Sequence, residues 1–559
     1  MEEKLKSALA EVVFAINGSK PTIELDYPDE QFGDFTSNIA LKLAKLEQAN
    51  PLIVAKSIAD SLKQKLSKEV KKVEVAGPGF INVTLSDEQL LKEMEKEQDR
   101  PLSDQVAVVE FSDPNPFKIL HAGHLYTSIV GDAIANLLSS SGAKVFRVNY
   151  GGDVGLHVAK SMWAMLQKLG GVKPEKLEEI SKSERVSWMS QAYVEGNTAY
   201  DQDKQFKQEI EELNKQIYQI QDSDDHKSSL AKIYWITRGW SYDEFDRFYS
   251  MLNIFFDKYY PESETAPVGL KIVEKQLERG VFEKSDGAVV FRGDKFGLHT
   301  RVFINSKGLP TYETKDIGLM ELKKQDFNYD RSIIITGSEQ EQYMSVVVKA
   351  VEQFAPELVK NTKHLTHGMV RMEGGKKMSS RLGNILKAED ILHAADEAIA
   401  AEDLKSDSKT LLAAVKYAFL KNRLGPDVIY NPKESVNVLG NSGPYLQYAH
   451  ARARSILAKT GEPKQHKEQT LNAEERHLAL KLSRFSSIVS QAAATLSPHL
   501  LCTYLYDLSQ VFNQFYESNR VVGSDREGLR AYLTSVYADR LQNGLNLLGI
   551  DAPKSVSKK

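Results

Sequence analysis

One segment, Gln105 to Tyr150, constrains the fold more than any other: "QVAVVEFSDPNPFKILHAGHLYTSIVGDAIANLLSSSGAKVFRVNY". Val106, Val108, Val109 and Phe111 form a short apolar run ended by a proline-rich turn, the pattern of a buried strand. Leu125, Ile129, Ala133, Ile134, Leu137 and Leu138 then recur at helical spacing until Gly142, which suits a helix C-terminus. "KVFRVNY" resumes as a strand. Strand, helix and strand within about 45 residues predict a βαβ unit, which commits the chain to a parallel sheet with helices on its faces.

The turn of that unit carries His121 and His124 around Gly123, two of only 12 histidines in the chain. In open parallel sheets ligands bind beyond the carboxyl ends of the strands, where a helix N-terminus offers free N–H groups and the positive end of its dipole. Gly123 would let a nucleotide approach the backbone closely, and the imidazoles would donate hydrogen bonds to phosphate oxygens. Spacing alone favours the plainer alternative, two partly exposed polar residues on one helix face. No third ligand stands at a fitting distance, so no metal site is expected.

Further strands are expected at 301–304 ("RVFI"), 331–337 ("RSIIITG") and 364–372 ("HLTHGMVRM"), completing the parallel sheet. Residues 1–100 mix helical patterns with two strands around Gly77-Pro78-Gly79, a small α+β domain ended by the linker "QDRPLSD". Residues 101–395 form the sheet-bearing domain, with a charge-rich helical insertion near 170–265 whose apolar stripe is Phe206, Ile210, Leu213, Ile217 and Ile220. Residues 396–559 read as helical throughout. A single cysteine, Cys502, excludes both a disulfide framework within the chain and a Cys-rich zinc site. The start lacks a signal-peptide stretch and no apolar run is long enough to span a bilayer, so a cytoplasmic protein without membrane association is expected. The net charge of −4 neither predicts nor excludes a nucleic-acid partner.

A second feature is "RMEGGKKMSSRLGN", a glycine- and lysine-rich turn after an expected strand. Such a loop can close over phosphates and neutralise the charge of leaving pyrophosphate. Taken with the histidine pair, its form matches one family. "HAGH" resembles the HIGH-type signature of class I aminoacyl-tRNA synthetases, and "KKMSS" resembles their KMSKS-type signature, in the expected order. Within the class, "DPNPFKILHAGHLYTSIVGDAIANLL" resembles arginyl-tRNA synthetases. "FGDFTSNIALKLAK", "GPGFINVTL", "GPYLQYAHARARSIL" and "LNLLGIDAP" extend the likeness over nearly the whole chain.

The resemblance implies an α/β fold: a Rossmann-like parallel-sheet catalytic domain, a small N-terminal tRNA-binding domain and a helical region with an anticodon-binding domain over about 436–559. It implies activation of arginine with ATP, carried as its magnesium complex, then transfer to tRNA(Arg), which must bind before activation. By the family's pattern Asn115, Tyr312, Asp316 and Gln340 contact arginine, with Glu262 the second carboxylate and Glu264 its alternative. Carboxylates suit that substrate because charge-assisted bidentate pairs with guanidinium are strong. Lys118, His121, Gly123, His124 and the loop residues Lys377, Met378 and Ser379 are expected on ATP, and the backbone of Met369 or Val370 on adenine. Ser380 stands where the usual signature has its second lysine, and Lys118 is expected to supply that charge. Tyr445, Tyr448, Arg452 and Arg454 lie where RNA bases and phosphates could be contacted, and a monomer is the default. Two rivals are a synthetase of other specificity and a catalytically silent relative. A glutamate enzyme would want basic residues at 262 and 316, and both signatures keep their phosphate-contacting residue types.

Overall fold

The helix Glu2–Asn17, strand β1 (Phe35–Ser37), helices Ile39–Glu47 and Pro51–Lys65, strands β2 (Val70–Ala76) and β3 (Phe80–Leu85) and the helix Asp87–Met94 build the N-terminal part. Its sheet is antiparallel in the order β1-β3-β2. A computed structural model describes residues 1–375, 386–402, 407–460 and 470–555 of the chain. Arg476, from a C-terminal helix, bridges Asp34 (2.6 Å) and Asp87 (2.7 Å), tying the N-terminal part to the helical region.

The remaining strands are β4 (Val106–Glu110), β5 (Lys144–Gly151), β6 (Lys258–Pro261), β7 (Glu283–Ser285), β8 (Ala288–Phe291), β9 (Arg301–Ile304), β10 (Arg331–Gly337), β11 (Thr362–His367), β12 (Val370–Met372) and β13 (Val428–Tyr430). Five of them form the central sheet in the order β11-β10-β4-β5-β6, every pair parallel. The chain runs from β4 to one edge and later returns to fill the other. A crevice therefore opens beyond the carboxyl ends of β4 and β10, the place such sheets use for ligands.

Three strand assignments differ from the sequence reading. "RVFI" is β9 and pairs antiparallel with β8 in a separate three-stranded sheet. Residues 370–372 leave the central sheet and pair with β13, the only strand described beyond residue 395. Lys258–Pro261, inside the stretch assigned to the insertion, is the sheet's edge strand β6. An apolar alternation shows that a strand exists but not which sheet takes it, and four residues are too few to show a period.

The helix Ala122–Ser140 follows β4 and is buried on almost every side, between the sheet and the C-terminal helices. That location explains its apolar content. The insertion helices Arg185–Gln202, Lys204–Asp222 and Ser229–Leu252 close around a cluster of their own that takes in Ile210, Leu213, Ile217 and Ile220.

The helices Glu262–Glu278 and Tyr312–Phe327 cross at Gly269 and Gly318. A Cβ on Gly318 would lie 2.0 Å from the Thr265 carbonyl oxygen, and one on Gly269 would lie 1.9 Å from that of Thr314. Neither carbonyl can yield without moving its helix. Gly318→Ala is therefore expected to cost about 1–3 kcal/mol of stability through overpacking. A lower melting temperature in thermal denaturation would show it, and an unchanged one would mean that the crossing is loose.

Candidate active site

The loop from β4 to the helix Ala122–Ser140 holds Ser112 (φ 74°), Asp113 (φ 50°) and Phe117 (φ 66°) in the left-handed region. Non-glycine residues there cost about 1–3 kcal/mol each unless their surroundings fix them. Here the surroundings do. The Tyr150 N–H donates to Asp113 Oδ1 (2.8 Å), the Gly152 N–H to Asn115 Oδ1 (2.7 Å) and the Phe117 N–H to Ser241 Oγ (3.0 Å). The loop is thereby clamped to the end of β5 and to the insertion helix Ser229–Leu252.

His121 caps the next helix and stacks on His124, ring centroids 3.7 Å apart and planes 19° apart. The His121 N–H donates to His124 Nδ1 (3.2 Å), so that nitrogen accepts and Nε2 carries the ring proton. A Cβ at position 123 would lie 2.9 Å from His121 Cε1, which accounts for Gly123 between the two histidines. Burial lowers both imidazole pKa values, that of His124 far below the ordinary value, with His121 and Lys118 adding to it. Both rings are neutral donors at physiological pH, at a helix end where an imidazolium would be disfavoured.

Leu386–Ala388, the chain just after residues 376–385, pairs with this turn. The Ala122 N–H donates to the Leu386 carbonyl (2.9 Å), and the Ala388 N–H to that of Leu120 (3.1 Å). The chain that follows the second signature is thus held against the first, while Lys377, Met378, Ser379 and Ser380 lie outside the described residues.

Asn115, Lys118, His121, Gly123, His124, Glu262, Tyr312, Asp316, Gln340, Met369 and Val370 all line one cavity of about 560 Å³. Gln340 stands just beyond β10, and Tyr312, half exposed, opens the helix that carries Asp316. The sequence reading missed Glu110, Asp113, Tyr150, Thr336, Tyr343 and His367 in the lining. Two of these carried a local signal, Glu110 ending the strand and Tyr343 following Gln340. The others arrive by tertiary contact.

The deep end of the cavity is rich in carboxylates. Asp316 accepts a hydrogen bond from the Tyr343 hydroxyl. Burial pushes its carboxyl up to about 8, the nearby charges of Glu110 and Glu262 adding to the rise and Tyr343 opposing it. Glu110 pairs with the buried Lys323, and Glu262 with the buried Lys315 at 2.5 Å. Burial raises the Glu262 carboxyl, and the Lys315 ammonium opposes that rise. Burial and Glu110 raise Asp113 well above the usual carboxylate range. Lys118 is largely enclosed, its ammonium 5.9 Å from the Tyr193 ring centroid; burial lowers its pKa and Glu262 opposes that. Carboxylates, one ammonium and two neutral imidazoles therefore share a single cavity.

Two expectations are amended. The Met369 N–H donates to Asp427 Oδ1 (2.8 Å) and its carbonyl accepts from the Val428 N–H (2.8 Å), so Val370 is the better placed of the two for adenine. Tyr445 is not available to RNA: its ring is buried beside Tyr506, and its hydroxyl accepts from Asn513 (3.0 Å). The turn of helix that carries it faces inward. Tyr448, on the same helix, is exposed with the Arg452 guanidinium 5.3 Å from its ring centroid, whereas Arg454 pairs with Asp539 (2.7 Å).

Among the described residues no group of three histidine, cysteine or carboxylate side chains could hold a metal ion, and no helix is long and apolar enough to cross a membrane.

Three family models match consecutive stretches of the chain. They are the arginyl tRNA synthetase N-terminal domain over residues 1–85, the class I tRNA synthetase (R) catalytic domain over 86–425 and the DALR anticodon-binding domain over 446–556. The arginine–tRNA ligase of Porphyromonas gingivalis is 30% identical over 99% of both chains, and that of Borrelia hermsii 27% identical over 95% of this chain and 94% of its own. The arginyl-tRNA synthetase structure from Thermus thermophilus superposes with a TM-score of 0.80 at 25% identity, covering 99% of each chain. The Plasmodium falciparum structure gives the same score at 20% identity, covering 99% of this chain and 98% of its own, a likeness of fold. With its length matched by those models and relatives, and the histidine signature standing at the crevice of a parallel sheet, the chain belongs to the arginyl-tRNA synthetase family.

Proposed function

We infer that the arginine–tRNA ligase activity of this chain resides in the cavity between β4 and β10, where arginine and ATP form arginyl-adenylate before transfer to the 3′ end of tRNA(Arg). One observation carries the assignment: a buried carboxylate, Asp316, lines the same cavity as Lys118, His121 and His124. A substrate with a cationic side chain and a reacting carboxylate fits that polarity, with its carboxylate directed at the phosphates.

Asp316, Glu262, Asn115, Tyr312 and Gln340 take arginine, whose two cationic groups require acceptors. Lys118, His121, His124 and the Gly123 backbone take the phosphates, Val370 the adenine, and Lys377, Met378 and Ser379 close over them. The attacking carboxylate is already ionised at neutral pH, so no protein nucleophile or general base is required. Positioning and neutralisation of phosphate charge do the work. Magnesium enters with ATP. The N-terminal part (1–100) grips the body of the tRNA, and Tyr448 and Arg452 of the helical region meet RNA near the anticodon. A cytoplasmic monomer is the state we propose, consistent with one cysteine that is buried.

Pyrophosphate exchange tests the reading, run over the amino acids with and without tRNA. Arginine alone should respond; response to none would favour a silent relative.

The raised Asp316 carboxyl adds a pH signature. It is protonated below about 8 in the free protein, and a guanidinium, charged throughout, binds the ionised form. Arginine binding should therefore weaken as pH falls, its KM rising about tenfold per pH unit below the titration point. A KM for arginine that stays flat from pH 6 to 8 would contradict the placement of the guanidinium on Asp316.

A further inference from the structure

We propose that Lys315 is a positioning residue for arginine specificity: it holds Glu262 in place and ionised, so that the substrate meets a second carboxylate of fixed direction beside Asp316. The proposal rests on the arginine reading of the cavity and adds to it a residue that does not line the cavity.

Lys315 Nζ and Glu262 Oε2 are 2.5 Å apart, with both side chains 4% exposed or less. The lysine arrives from the helix Tyr312–Phe327 and the glutamate from the first turn of Glu262–Glu278, the two helices locked at Gly269 and Gly318. On its other side Glu262 lies against Gly152, where a Cβ would stand 3.0 Å from its Oε1 and 2.7 Å from Asn115 Oδ1. One carboxylate oxygen is thus given to Lys315, and the other lies beside Gly152.

Other polar groups stand behind the ammonium, one of them the buried His157 Nδ1, which has no hydrogen-bond partner among the described residues. A Cβ on Gly155 (φ 111°) would lie 3.7 Å from Lys315 Nζ, 3.8 Å from His157 Nδ1 and 3.8 Å from the Tyr218 hydroxyl, so three polar atoms converge where glycine leaves room. His157 Nε2 lies 2.7 Å from the Gly152 carbonyl and must donate to it, which leaves Nδ1 as a lone pair on the lysine's side. Tyr218 belongs to the insertion helix Lys204–Asp222, and the Tyr312 ring centroid lies 5.1 Å from the ammonium. A cation with an acceptor, a hydroxyl and a ring around it serves as a fixed counter-charge. The insertion, through Tyr218, then forms part of the wall behind the arginine site.

Without that counter-charge a carboxylate this deeply buried takes up a proton. Besides Lys315, the groups facing Glu262 are Asp153, Lys118, Tyr150, Tyr218, Tyr242, Tyr312 and Asp316. Asp153 pairs with Arg238 (2.9 Å), and the tyrosines stay neutral below pH 9. Asp316 and Asp113, both raised by burial, therefore shape the wild-type profile for arginine, and loss of Lys315, which opposes protonation of Glu262, adds Glu262 to them.

The test is arginine-dependent pyrophosphate exchange with tRNA present, for the wild type, Lys315→Met, Lys315→Arg and the double variant Lys315→Met/Glu262→Gln. Lys315→Met should raise the KM for arginine about 30-fold at pH 7. It should also steepen the fall of kcat/KM for arginine with acidity by up to one further proton relative to the wild type, while the KM for ATP stays within about twofold. Lys315→Arg should restore both. The double variant leaves no unpaired buried charge, so it keeps the test open if the single variant does not fold. Its arginine KM stays high and its slope returns to that of the wild type. A lower KM in Lys315→Met would mean that the lysine competes with arginine, and an unchanged slope that it only supports the fold; either overturns the proposal. A wild type without arginine response refutes the assigned activity instead.

Discussion

Asp316→Asn is expected to lower kcat/KM for arginine by about 10³-fold while leaving the KM for ATP within about twofold. The substitution keeps the shape of the side chain and its ability to accept from the Tyr343 hydroxyl. It removes a charge to which no lysine is bonded. Glu110 is matched by Lys323 and Glu262 by Lys315, whereas the side chain bonded to Asp316 is a neutral tyrosine. A bound guanidinium supplies the missing cation, and asparagine would turn an amide donor toward a group that has only donors. Truncating one member of a buried charge pair leaves the other unpaired, which costs about 2–5 kcal/mol. Steady-state exchange kinetics at pH 8.5, above the Asp316 titration, isolate this effect. A parallel rise in the KM for ATP would indicate that the wall has collapsed, and a loss under tenfold would move the guanidinium elsewhere.

The same wall separates what the sequence showed from what it could not. The βαβ unit was legible because β4 and the helix after it are buried so completely that their apolar spacing is nearly unbroken. His121, Gly123 and His124 share one turn, so they stand in the sequence as a single motif, but spacing alone favours two exposed polar residues and the resemblance to a known signature gives them their role. Tyr312 and Asp316 likewise come from the resemblance, one turn apart on a helix. Lys315 was not legible. It is adjacent to Asp316, and a lysine beside an acid in a helix reads as solvated unless its partner, 53 residues away, is known. Tyr445 failed for the opposite reason: a helix with aromatic and basic residues on several faces does not say which face is covered. The antiparallel sheet of β7, β8 and β9 was missed because pairing is decided by the chain between strands.

Lys118→Ala is expected to slow arginyl-adenylate formation by about 10²–10³-fold, the loss typical of removing one group aimed at developing charge. Ser380 stands where the usual second signature has a lysine and cannot neutralise phosphate, which leaves that signature with Lys376 and Lys377. Lys118 stands in the clamped loop before His121. Burial disfavours its charge while Glu262 favours it, so the ammonium is held with little water around it. Charge in such a place acts on a phosphate more strongly than a solvated one and needs no reorganisation during the reaction. His121 and His124 cannot replace it, since burial keeps both rings neutral. The loss should therefore fall on kcat, with the KM for arginine little changed. Lys118→Arg, which keeps the charge, should lose much less than Lys118→Gln, which keeps most of the length. Rapid-quench measurement of adenylate formation with saturating arginine, ATP and tRNA separates these cases. Full activity in Lys118→Ala would place the whole neutralisation on the loop that contains Lys377.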